Sequence, residues 1–174
     1  MNNAANLWNQ IIARGKKFEE GFKESLNLQP GVTDKELDLL QQKLEVKLPE
    51  ELKDFYRVYN GQVWEPGVNP FVRNLVLSPI HKIIKDWTFL QEEYDPDDMQ
   101  PENEKEIKPF IWNSKWIPLA DNGAGDYLCM DMDPTEAGTI GQVLYYWHDW
   151  EDRSLDANSF FEFIEICLLE DYEN

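Results

Sequence analysis

Residues 116–148 read WIPLADNGAGDYLCMDMDPTEAGTIGQVLYYWH, and the rest of the chain is interpreted around them. Three short strands are expected here, at 116–120, 127–132 and 142–147. The first gap, Asp-Asn-Gly-Ala-Gly, is rich in residues that tolerate positive φ and predicts a tight turn. The second gap is longer and also rich in turn residues. In the second strand Leu128, Met130 and Met132 alternate with Tyr127, Cys129 and Asp131, the two-residue period of a half-buried strand. In the third, Val143, Tyr145 and Trp147 alternate with Leu144, Tyr146 and His148. Both sets are largely apolar, so this strand is expected to be central, with both faces covered. The stretch is an antiparallel meander and announces no chemistry by itself.

Upstream, residues 3–26 place Leu7, Ile11, Phe18, Phe22 and Leu26 on one helical face, widened by Trp8 and Ile12. This predicts an amphipathic helix of about six turns, weakened by Gly15 and Gly21. Its polar face mixes both signs of charge, so packing on the domain is expected rather than a membrane surface. Residues 28–32 read as a connector. Thr33 and Glu36 form a capping box at the start of the next helix, whose buried stripe is Leu37, Leu40 and Leu44. Pro49, Glu50 and Glu51 open another helix, with Leu52, Phe55, Tyr56 and Tyr59 on its apolar face and Asn60-Gly61 at its end. A loop with Trp64 follows, then a strand candidate at 71–77 and a helix after Ser78-Pro79. His81 lies beside that helix's apolar stripe and is expected to be a surface or hydrogen-bonded residue. Residues 94–109 predict an exposed loop, and 149–156 an acidic one. The last helix begins near Ser159, again with a capping box through Glu162.

The 174 residues suit one domain, 1–174, with a core of useful size and no internal repeat. No apolar run approaches the roughly 20 residues of a spanning helix, and the first residues lack the order of a signal peptide. A cytoplasmic location is therefore expected. Cys129 and Cys167 are expected to be buried free thiols, a disulfide being possible only if strand and final helix meet. The net charge is −18, from 34 acidic and 16 basic residues. That charge repels nucleic acid and anionic membrane and attracts a basic partner. It also serves plain solubility. A basic patch with interleaved aromatics, the footprint of nucleic-acid binding, is missing.

Asp121, Asp126, Asp131, Asp133, His148 and Asp149 crowd one meander, which raises the question of a metal. The calcium-loop spacing fails, and neither H-E-x-x-H nor C-x-x-C occurs. No metal and no cofactor is expected. A chain with 34 acids always offers carboxylate pairs, so acid catalysis has no specific support. G-x-S-x-G is absent, and neither cysteine sits in an electropositive setting. The segment YYWHDWED, 145–152, carries the more specific signal. Aromatics can anchor a basic protein while acids steer it; equally, Tyr145 and Trp147 can be core and the acids a solvated loop. The candidate contact residues are Trp64, Asp126, His148, Asp149, Trp150, Glu151 and Asp152.

Four pieces in order carry a family resemblance: GVTDKELDLLQQKLEVKLPEELKDFYRVYNGQ (31–62), WIPLADNGAGDYLCMDMDP (116–134), GTIGQVLYYWHD (138–149) and the A-x-S-F of 157–160. Together they resemble the Smi/Knr cell-wall assembly regulators of the SUKH superfamily, over about residues 28–169. The helix at 3–26 lies outside that resemblance. It implies an α+β fold, a central, mostly antiparallel sheet with flanking helices, to which the N-terminal helix is an addition. It implies no catalytic residues. It implies a non-enzymatic, protein-binding role: in bacteria, immunity against a toxin, often a nuclease; in fungi, cell-wall synthesis and signalling. The leading expectation is an immunity protein that neutralises a basic toxin. The alternatives are a cell-wall scaffold with endogenous partners and, from a different class, a hydrolase built on the meander aspartates.

Overall fold

The computed structural model describes residues 3–95 and 101–170. In chain order the elements are α1 (Ala4–Lys16), α2 (Phe22–Ser25), β1 (Leu28–Pro30), α3 (Asp34–Leu44), α4 (Glu50–Val58), β2 (Tyr59–Gln62), β3 (Val76–Leu77) and α5 (Ile80–Glu93). Then follow β4 (Trp116–Asp121), β5 (Tyr127–Asp131), β6 (Gln142–Tyr146), β7 (Ser154–Ala157) and α6 (Phe160–Leu169). Strands β3-β4-β5-β6-β7 form one sheet in that order, and β1 and β2 form a small second one; every pairing is antiparallel. This is an α+β fold.

The meander behaves as its alternation requires. Ile117, Leu119, Leu128, Met130, Val143 and Tyr145 join one apolar cluster with the helices. Trp116, Cys129, Leu144 and Tyr146 join a second. The sheet thus has two apolar faces, and β6 is interior, between β5 and β7. In β4, Pro118 lacks an N–H, and the register slips between Pro118 and Ala120, the irregularity that a proline inside a sheet demands. The second face needs a cover. Leu90 of α5 supplies part of it, and Ile107 and Trp112 supply the rest. Of the loop expected to be exposed at 94–109, residues 96–100 lie outside those described, and Ile107 is buried rather than exposed. The two cysteines are free and buried, in different clusters, which keeps them from pairing.

Other local expectations also shift. The N-terminal helix is not continuous. It stops at Lys16, and Phe22 folds back so closely that a Cβ on Gly15 would sit 2.0 Å from its ring. Gly15 permits that return, and Phe18, expected in the core, is 65% exposed instead. The connector at 28–32 contributes β1, and the acidic loop gives way to β7 at Ser154. Of 71–77 only Val76 and Leu77 join the sheet, because Arg73 takes a positive φ of 49° in a turn closed by Leu75 N donating to Val72 O. Helix α4 ends at Val58 with Tyr59 already extended, so Asn60-Gly61 does not stop it. Gly61 has φ +67° within β2, where a Cβ would lie 2.6 Å from the Pro79 nitrogen. Thr33 and Glu36 make the full capping box. At α6 only half of one forms: Ser159 Oγ accepts from Glu162 N, while the Glu162 carboxylate accepts from Asn158 N.

Helix α1 packs on its own domain. The Trp8 indole stacks on Phe55 with centroids 4.3 Å apart, and its Nε1 donates to the Phe55 carbonyl at 3.0 Å. Phe160 and Phe161 of α6 close on Phe55 edge-on. Among the described residues no helix is long and apolar enough to cross a membrane. Truncating Trp8, 1% exposed, removes the ring and orphans its hydrogen bond. Trp8→Ala is expected to destabilise the fold by about 3–5 kcal/mol, measured by urea denaturation.

Candidate protein-binding surface

One end of the main sheet gathers the β4–β5 turn, the β6–β7 loop and the loop carrying Trp64. In the β4–β5 turn the Asp121 carboxylate accepts from Gly123 N and the Asn122 side-chain oxygen from Ala124 N, both at 2.9 Å. Gly123 and Gly125 take φ of +76° and +92°. Each presents bare backbone to an aromatic ring: a Cβ on Gly123 would meet Trp64 at 3.2 Å, and one on Gly125 would meet His148 at 3.3 Å. The turn thus links Trp64 to the β6–β7 loop.

His148 is clamped by two carboxylates. Its Nδ1 lies 2.9 Å from Asp126 Oδ1, which also accepts the His148 backbone N–H at 3.0 Å. Its Nε2 lies 3.2 Å from Asp149 Oδ1. Two acceptors on two ring nitrogens favour the imidazolium. The hydrogen bond to Asp126 raises the His148 pKa above 6.5, against an opposing desolvation effect, with the Asp149 and Asp126 charges adding to the rise. For Asp126, partial burial pushes upward, but the hydrogen bonds from His148 and Asn122 outweigh it and hold the carboxyl below its usual range. The charged pair therefore persists from below the ordinary carboxylate pKa to above the ordinary histidine pKa. It is lost when pH rises through the His148 value or falls through the Asp126 value.

The β6–β7 loop is built on Arg153, which sequence reasoning passed over. The side chain is 2% exposed. Its Nε and Nη2 donate to the Ile111 carbonyl at 3.1 and 3.0 Å, and its Nη1 to the carbonyls of Trp147 and Trp150. The guanidinium lies 4.2 Å from the centre of the Tyr146 ring. Among the described residues it makes no ion pair, and burial lowers its pKa from the ordinary arginine value. The planar fork and persistent charge of arginine suit such carbonyl bonding. The available signal was that Arg153 is the lone base in an acid-rich stretch.

The seven candidate residues meet at this end. Trp64 is 43% exposed and Trp150 70% exposed, the latter on a loop held through its own carbonyl by Arg153. Asp149, Glu151 and Asp152 face solvent around it, while Asp126 and His148 form the base. The segment 145–152 is both core and surface: Tyr145 packs on the helical cluster, Trp147 stacks on Tyr145, and Trp150 stands free of both. The other meander aspartates are spoken for separately. Asp121 binds Lys82, Asp131 accepts from Gln142, and Asp133 binds Lys108 and Asn113. Among the described residues no group of three or more His, Cys, Asp or Glu is arranged to hold a metal. Replacing Asp126 by Asn is expected to bring the His148 pKa down toward 6.5, read from the imidazole resonances in an NMR pH titration.

Similarity to known proteins agrees with this architecture. Residues 31–166 match the model of the SMI1 / KNR4 family (SUKH-1). The chain is 25% identical over 161 residues to the cell wall biosynthesis/cell cycle regulator smi1 of Schizosaccharomyces pombe, covering 83% of this chain and 31% of that protein. It is 29% identical over 58 residues to the KNR4/SMI1 homolog of Kluyveromyces lactis, covering 33% of this chain and 11% of that protein. The chain thus spans less than a third of the length of these relatives. With residues 31–166, most of its length, matched, the chain belongs to the SMI1/KNR4 family.

Proposed function

We propose that the chain is a non-enzymatic protein-binding domain whose contact surface is the sheet end bearing Trp64, Asp126, His148, Asp149, Trp150, Glu151 and Asp152. One observation carries the reading: Trp150, 70% exposed, stands on a loop whose carbonyl Arg153 holds, Trp64, 43% exposed, faces the β4–β5 turn at Gly123, and the exposed Glu151 and Asp152 enter no ion pair among the described residues. Aromatic anchors of this kind supply binding energy at little ordering cost, and rim acids speed encounter with a basic partner. The net charge of −18 acts in the same sense. The partner is a basic protein, and the chain acts on it in the cytoplasm as an immunity protein that neutralises a toxin. Nucleic acid and membrane are not partners, since both are anionic.

The second reading is a regulator of cell-wall synthesis or a signalling scaffold. The Schizosaccharomyces pombe relative, a cell wall biosynthesis/cell cycle regulator, favours it. Both readings use the same surface and differ in who occupies it.

A tagged pull-down from the native source, and from cells expressing candidate toxins, separates them. The immunity reading expects one basic toxin-like protein, released as salt rises. Trp150→Ala should weaken that capture about tenfold or more while leaving thermal unfolding unchanged. Recovery of several wall-synthesis or signalling proteins instead assigns the scaffold role. Failure to capture any specific protein at either salt overturns the protein-binding reading.

A further inference from the structure

Beside this surface lies a cleft of about 320 Å³ between α5 and the ends of β5 and β6. Its walls are aromatic: Phe89 and Tyr94 from α5 and its end, Tyr127 from β5, Tyr146 from β6. Tyr146 stands 6.1 Å from Tyr94 and 6.0 Å from Tyr127, both rings inclined to it, and its hydroxyl donates to that of Tyr94. Leu90, Gly125, Glu93 and His148 complete the lining, with the His148 ring held between the carboxylates of Asp126 and Asp149. Phe89 is 53% exposed, an aromatic ring left at the rim with solvent on one side. Glu93 is exposed and enters no ion pair among the described residues.

Aromatic rings around a cleft with a carboxylate at the mouth make a receptor for an organic cation, because ring faces carry negative quadrupole density. The chain itself stacks a guanidinium on one of these rings, Arg153 on Tyr146. That internal charge is bound to three carbonyls, so it does not claim the acid at the mouth. We infer that the cleft lined by Phe89, Glu93, Tyr94, Tyr127 and Tyr146 receives a lysine or arginine side chain of the protein partner. The assignment rests on the protein-binding reading and names the chemical anchor that the partner presents. Charge complementarity favours this occupant over an apolar one: a −18 chain draws basic proteins, and the acid at this cleft mouth would be stripped of water for nothing by a hydrocarbon.

The test is an amide-resolved NMR titration of the full chain with N-acetyl-lysine amide, N-acetyl-arginine amide and the neutral N-acetyl-norleucine amide. The expected result is saturable shifts at residues 89–94, 125–127 and 146–148 with the two cations and none with norleucine. Phe89→Ala and Glu93→Gln, both at exposed positions, should each weaken that binding about two- to fivefold with the spectrum otherwise intact. Equal response to norleucine, or unsaturable shifts spread over the acidic surface, overturns the assignment. In the pull-down, the double variant should release the partner at lower salt. A partner held equally well by both proteins overturns the cleft assignment and leaves the protein-binding reading standing. A wild type that captures nothing overturns that reading and, with it, a protein-borne cation. The titration then decides whether a free organic cation binds.

Discussion

Phe55 is the point on which the helical layer depends. Its ring is stacked by Trp8 from α1 and met edge-on by Phe160 and Phe161 from α6 and by its neighbour Tyr56. Aromatic rings bury large areas and gain from offset or edge contact beyond that area. The Phe55 carbonyl adds a polar tie. It lies in the last turn of α4, takes the Tyr59 backbone N–H, and also accepts the Trp8 indole N–H. Helix α1 precedes the segment that matches the family, residues 31–166. It is nevertheless part of the same core, since Leu7, Trp8 and Ile11 are each at most 1% exposed.

The other face of the sheet depends on a buried cation. An arginine withdrawn from water costs several kcal/mol unless its donors are met. Arg153 meets them with carbonyls rather than carboxylates, and those carbonyls belong to Ile111, Trp147 and Trp150. The first sits in the segment covering the second apolar cluster; the others sit in the β6–β7 loop. One side chain therefore fixes the cover to the sheet and sets the shape of the loop that presents Trp150. A carboxylate partner would have neutralised the charge without tying two separate stretches of backbone together.

Much of the sheet was legible because a strand has a two-residue period and both of its phases were apolar. Val143 and Tyr145 go to one cluster, Leu144 and Tyr146 to the other, as that pattern requires. The cover of the second face was not legible. Ile107 and Trp112 lie in a segment rich in prolines and charges with no period of its own, and only the need of the sheet for a partner places them. The break in the N-terminal helix escaped for a related reason. Gly15 and Phe22 hold helical spacing, and what separates them is a ring packed on bare backbone, a tertiary contact no propensity records. At the surface, the aromatic-acidic segment was visible as composition. Its two roles were not separable, because only the course of the chain after β6 leaves Trp150 exposed while Trp147 stacks on Tyr145.

The charges at the sheet end divide by what they are bound to. His148 lies between Asp126 and Asp149, whose carboxylates favour its charged form and balance it locally. Glu151 and Asp152 stand outside it, exposed, as does Glu93 at the cleft. Only the outer acids can project a field, since a pair in contact looks nearly neutral beyond a Debye length of about 8 Å. The inner pair does different work: it holds the His148 ring against Gly125 and so fixes the rim of the cleft. Charges that attract a partner must remain hydrated and unpaired, whereas charges that shape a site must be paired. At the β6–β7 loop both kinds come from a few consecutive residues, because the chain leaves the sheet after Tyr146 and returns to it at Ser154.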